Sequence, residues 1–287
     1  MSTVDIHQHF WPEPFVEALS RRRSPPCLVG SELVIREGRF PVGADWNDLG
    51  ARLAALDRDG IDVAVLSLQP TLGVDGLPEE ERAELFDAWV GGTRDVVAAA
   101  RGRLLAFAPG RVEDGFVGAC VPASAVRDRD ALAPLLDALE RRAGVLFVHP
   151  GPVAPPPGAP DWWATIADYT AQMHGAYFSW LAGGRSRWPL VRVVFSILAG
   201  GAPFQLERLA QRGVDVRSTL DANMFLDVAT YGRRAIELCI ETFGIDQLLY
   251  GSDSPVVETE NTLRAVRGFG ESVYTMIADG NPARLFA

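Results

Sequence analysis

The chain has 287 residues, 48% hydrophobic and 22% charged, enough to bury a large core in a single domain spanning residues 1–287. A formal net charge of −10 with no basic stripe speaks against nucleic acid or an anionic membrane surface as a partner. All 27 basic residues are arginine, which excludes Schiff-base and pyridoxal-phosphate chemistry and a carbamylated lysine bridging two metals.

The chain opens on MSTVDIHQHF, without the basic-then-apolar order of a signal peptide, so a cytoplasmic location is expected. No apolar run approaches the roughly 18 residues of a membrane span. Short runs rich in Val, Leu, Ile and Phe predict buried strands at Thr3–His7, Asp62–Ser67, Leu104–Ala108, Phe116–Val121, Val145–His149, Val191–Ser196, Met224–Val228 and Leu248–Gly251. Helical spacing falls between them, at Trp46–Asp59, Glu79–Ala100, Arg129–Arg142, Asp161–Leu181 and Pro203–Gln211. Eight strands alternating with helices predict an α/β fold, a (β/α)₈ TIM barrel. Cys27–Val42 reads as a small extended insertion, a hairpin, after the first strand, and Gly151–Pro160 as a proline-rich loop. Both follow strands and are expected at the catalytic mouth. Cys27, Cys120 and Cys239 are too far apart for a zinc cluster and read as reduced thiols.

His7 and His9 end the first predicted strand. A side-chain period of two turns both imidazoles to one side and Gln8 to the other, a half-site for zinc or a similar metal. His149 ends the fifth strand before Pro150, and Asp253 follows the eighth in Gly251-Ser252-Asp253. Strand ends of a barrel are where catalytic groups gather, and a carboxylate there can bind metal and accept a proton from bound water. The bland alternatives are a hydrogen-bonded pair for His7 and His9, a strand cap for His149 and an Asx-turn for Asp253.

Together, His7-Gln8-His9, Val148-His149-Pro150, Gly200-Gly201, Gly251-Ser252-Asp253 and the closing Asn281-Pro282-Ala283-Arg284-Leu285-Phe286 resemble the amidohydrolase superfamily. The similarity is to the branch that includes aminocarboxymuconate-semialdehyde decarboxylase, and it spans nearly the whole chain. It implies that His7, His9, His149 and Asp253 hold one divalent metal ion, usually zinc, with manganese or iron as alternatives. The family's further histidine, before the Gly-Gly pair after strand six, is replaced here by Ile197 or Leu198.

Asp253 is therefore the candidate proton shuttle, with His174 the only other imidazole available. Ser196 could donate to a carbonyl, and Asp227 could support the metal site from behind. Trp11, Gln69 and Tyr177 are candidate substrate contacts, and Phe10, Trp163 and Trp180 a candidate apolar wall. Core packing is the alternative for each. The first expectation is a metal-dependent hydrolase of a small-molecule amide, lactam or lactone. A non-oxidative decarboxylase of a cyclic or unsaturated acid and a barrel that only binds a ligand stay open. A homodimer is possible.

Overall fold

The computed structural model describes residues 2–43, 46–216 and 221–287. Eight parallel strands form the central sheet, in the order β1 (Val4–His9), β5 (Val63–Ser67), β6 (Leu104–Pro109), β7 (Gly118–Pro122), β8 (Val145–His149), β9 (Arg192–Phe195), β10 (Met224–Asp227) and β11 (Leu248–Leu249). The ring closes where Ile6 N–H donates to Tyr250 O, Asp253 N–H to His7 O, and His9 N–H to Ser254 O. This is the (β/α)₈ barrel that the alternating pattern predicts.

Two apolar layers hold it together. Inside the ring sit Ile6, Val65, Phe107, Cys120, Phe147, Val194, Phe225 and Leu249, all buried. The strands' other faces pack under the helices through a larger cluster that includes Leu66, Leu104, Leu146, Val193 and Leu248. Both faces are dry, which is why each strand is almost continuously apolar.

Strand starts and ends lie within two residues of expectation, as when β7 starts at Gly118, not Phe116, and β11 stops at Leu249, while β8 matches at both ends. Helix Leu49–Asp59 starts after Asp48, whose side chain accepts from Ala51 N–H, so Trp46 stays outside it. The stretch expected as one helix over Asp161–Leu181 is helical only from Ala164, and π-turns flank its α-helical part, Tyr169–Ser179. Helices Glu13–Arg21, Ala123–Arg127, Arg233–Phe243 and Glu260–Arg267 were not anticipated. The insertion is a sheet of three antiparallel strands, β2 (Cys27–Val29), β3 (Glu32–Ile35) and β4 (Gly38–Pro41), one more than a hairpin. All three cysteines are free and buried. Among the described residues, no helix is long and apolar enough to cross a membrane.

Candidate metal centre

His7 and His9 reach the pocket through a bulge in β1. Asp5 lies opposite Ala64 and Gln8 opposite Leu66, so three steps on β1 match two on β5. The extra residue lets Ile6, His7 and His9 all turn inward while Asp5 and Gln8 face the helices. Behind the strand, Asp5 accepts from Gln8 Nε2 at 2.7 Å, from His7 N–H at 3.1 Å and from Ser252 N–H at 3.0 Å. Gln8 in turn accepts from buried Arg52 at 2.7 Å. This network ties the first strand to the loop that carries Asp253.

One ligand atom from each of His7, His9, His149 and Asp253 lies within 4.8 Å of all the others. His7 Nε2 is 3.2 Å from His9 Nε2 and 3.4 Å from Asp253 Oδ1, and His9 Nε2 is 3.0 Å from the same oxygen. The other ring nitrogen is occupied in every case: His7 Nδ1 with Asp227 at 2.8 Å, His9 Nδ1 with Ser67 O at 3.0 Å, and His149 Nδ1 with Pro150 O at 2.9 Å. Those partners accept, so each Nδ1 carries a proton and each Nε2 is the nitrogen turned inward. Two ring nitrogens this close need a positive charge between them, a proton on His7 in the free site or a metal ion in its place. Donors on a tetrahedral ion with bonds of about 2.1 Å stand about 3.4 Å apart, close to the spacing here. The residues fit a small divalent ion.

The electrostatics agree. Burial opposes a charge on His7, but Asp227 and Asp253 outweigh it and lift its pKa to about 9. The pocket therefore favours positive charge at this spot. Burial pushes His9 and His149 down, so both stay neutral as ligands must. Burial alone would raise Asp253; the neighbouring His7, then His9 and His149, bring it below its ordinary value. Asp253 sits at φ 63°, an uncommon left-handed conformation for a non-glycine, held by its N–H to His7 O at 2.8 Å. Gly251 has no room for a side chain, since a Cβ would meet His7 Cβ at 2.8 Å and Asp227 Cγ at 3.2 Å. Below the site, Phe147 meets His7 edge-on at 5.0 Å and stacks on Phe107.

Asp227 is brought to the site, and its second oxygen accepts from Ile197 N–H at 3.1 Å and Ala229 N–H at 2.9 Å. Ile197 thus stands after β9 where the resemblance expects an imidazole. His174 is not brought to the cluster. It lies on helix Tyr169–Ser179 in an outer cavity of about 400 Å³, with Phe178, Arg208 and Arg212. Its ring packs beside Phe178, and it stands outside the group of four donors. Tyr177 is withdrawn as a substrate contact, being buried among Phe178, Phe195 and Phe243. Ser196 is buried and points its hydroxyl toward Met173 Sδ at 3.9 Å, under the helix layer. Trp11 and Gln69 are buried and bonded to each other, Nε1 to Oε1, at 2.9 Å. Phe10 and Trp180 are core residues. Trp163, half-buried and stacked on Trp162 beside the proline-rich loop, can still form a wall.

Sequence reasoning missed Glu37, Thr71 and Tyr169. Glu37, in the β3–β4 turn, accepts from Val153 N–H at 3.2 Å and from the Tyr169 hydroxyl. Tyr169 also bonds Thr71 and feels the charge of Asp253. Nothing local marks these residues; an acidic residue in a turn is ordinary.

A comparison with curated proteins finds no match. Among solved structures, the chain is similar to IDCase from Metarhizium anisopliae, at 19% identity and a TM-score of 0.85, covering 99% of this chain and 97% of that one. It is similar to 5-carboxyvanillate decarboxylase from Sphingomonas paucimobilis, at 20% identity and a TM-score of 0.71, covering 99% and 98%. A third is dihydroxybenzoic acid decarboxylase from Polaromonas sp. JS666, solved with manganese and the inhibitor 2-nitroresorcinol: 18% identity, TM-score 0.74, covering 99% and 96%. At these identities the likeness speaks for the fold. The sequence model of the family described as Amidohydrolase matches residues 4–287. With that match running from β1 to the last helix, the chain belongs to the amidohydrolase family.

Proposed function

We propose that this protein is a metal-dependent decarboxylase that removes carbon dioxide, without an oxidant, from a cyclic or unsaturated carboxylic acid. The observation that carries the reading is the cluster of three imidazoles and one carboxylate at the mouth of a barrel whose full-length structural relatives include two named decarboxylases. A hydrolase of an amide, lactam or lactone uses the same donors and fits the family's description, but the two decarboxylases named above support decarboxylation.

His7, His9, His149 and Asp253 would hold the ion, which when bound supplies a positive anchor for the substrate's carboxylate. Manganese accompanies the Polaromonas relative, and zinc or iron suits the same donors. Asp227 fixes His7, and the Ser67 and Pro150 carbonyls fix the other two rings, so the donor geometry exists before substrate arrives. Asp253 is ionised in the free site, and no histidine follows β9, so proton transfer falls to Asp253. It takes a proton from an acidic group of the incoming substrate and holds it at its carboxylate. As the carbon–carbon bond breaks, the bonding pair stays on the substrate carbon, and Asp253 delivers the proton there. The products are the decarboxylated compound and carbon dioxide.

The test supplies manganese or zinc and a set of hydroxybenzoates and follows carbon dioxide release. Release by the wild-type protein, lost by about a thousandfold in Asp253→Asn, is the expected outcome, in the range for removing a positioned proton carrier. Water-consuming cleavage of lactones or amides without carbon dioxide overturns the reading in favour of hydrolysis.

A further inference from the structure

The three-stranded insertion puts a carboxylate into the mouth. Glu37 lies at its tip, half-buried, and both of its oxygens are bonded to elements of the barrel mouth: Val153 N–H in the loop after β8, and the hydroxyl of Tyr169. Tyr169 also touches Thr71 of the β5 loop, and Asp253 acts on it electrostatically. Gly73 of the β5 loop packs on Pro152 of the β8 loop, so the two loops and the insertion meet around this pair.

Simple fastening does not explain the choice of residues. Sixteen ion pairs are formed among the described residues, thirteen of them by arginine, yet none involves Glu37. Its donors are one neutral N–H and one neutral O–H, while burial, the largest influence on it, and Asp168 both work against its charge. A carboxylate held this way is costly. It also keeps acceptor capacity, since two oxygens offer about four lone-pair directions and two are used.

We propose that Glu37, oriented by Tyr169, is a substrate-recognising residue that accepts a hydrogen bond from a hydroxyl or N–H of the substrate at the end remote from its departing carboxylate. This rests on the decarboxylase reading and narrows it: the substrate is a cyclic acid with a donor at its far end and no second carboxylate there. A second anion there would meet the like charge of Glu37.

The test measures calorimetric binding to the manganese-loaded protein of 2,4- and 2,5-dihydroxybenzoate, their 4- and 5-methoxy counterparts, and 2-hydroxyterephthalate. The wild-type protein should prefer at least one dihydroxy compound over its methoxy partner by about tenfold or more, and bind the dicarboxylate weakest. Glu37→Gln should flatten the hydroxyl preference and admit the dicarboxylate, with metal content and melting temperature kept. Tyr169→Phe should fall between the two. An unchanged ranking in Glu37→Gln overturns the proposal, as does failure of every dihydroxybenzoate to bind the wild-type protein. Selective binding without carbon dioxide release keeps Glu37's role and sinks the decarboxylase reading alone.

Discussion

His7 is where the charge of the site is set. In the metal-free protein it keeps its proton up to about 9, whereas an imidazole in the unfolded chain loses it near 6.5. The stabilisation this provides is complete below pH 6.5 and is lost as pH rises through 9. His9 and His149 act in the other window, because burial depresses them: their contribution holds above 6.5 and falls as acid protonates the unfolded chain. The melting temperature of the metal-free protein should therefore be greatest near neutral pH and decline between pH 7 and 9. Asp227→Asn, which removes the largest support for the His7 charge, should make that alkaline decline shallower. A melting temperature that climbs from pH 7 to 9 in the wild-type protein contradicts the assignment.

The loop after β9 shows how an element can serve the site without supplying a ligand. Ile197, Leu198, Ala199, Gly200 and Gly201 all have positive φ, from 45° to 81°, a left-handed turn that L-residues resist. It is held by Ile197 N–H to Asp227, by Ala199 N–H to Ser196 O and by Gly201 N–H to Leu198 O. The strain is thus compensated partly through the carboxylate that orients His7. At Gly200 a Cβ would lie 2.2 Å from Thr170 O, so helix Tyr169–Ser179 passes where a side chain would be. Gly200→Ala should destabilise the protein by about 2 kcal/mol or more in denaturant unfolding and loosen metal binding with it. A change within about 0.5 kcal/mol would show that the turn is not under this constraint.

Elements also decide what was legible beforehand. His7, His9, His149 and Asp253 could be read because each stands at the end of an apolar run, where a barrel gathers its chemistry. His174, Tyr177 and Ser196 could not be placed: helix Tyr169–Ser179 has apolar residues all around, so no stripe shows which side faces inward. The β1 bulge is invisible in a period-two reading, because only the neighbouring strand's register reveals the extra residue. Glu37 gains its meaning from Val153 and Tyr169, more than a hundred residues away.

At the scale of the whole molecule, the barrel brings together groups from its first, fifth, seventh and eighth strands. The ring must close between β1 and the loop after β11 before His7, His9 and Asp253 can meet, and Asp5 and the Asp253 N–H are the stitches there. Metal binding and barrel closure should therefore stabilise each other, since the ion binds only the folded arrangement. The most direct measurement is a titration of chelator-stripped protein with manganese or zinc, read by elemental analysis after desalting. One ion per chain in the wild-type protein, with affinity at least about tenfold weaker in His7→Ala and in His149→Ala, is the predicted result. No retained metal, or the same retention in both variants, would contradict it.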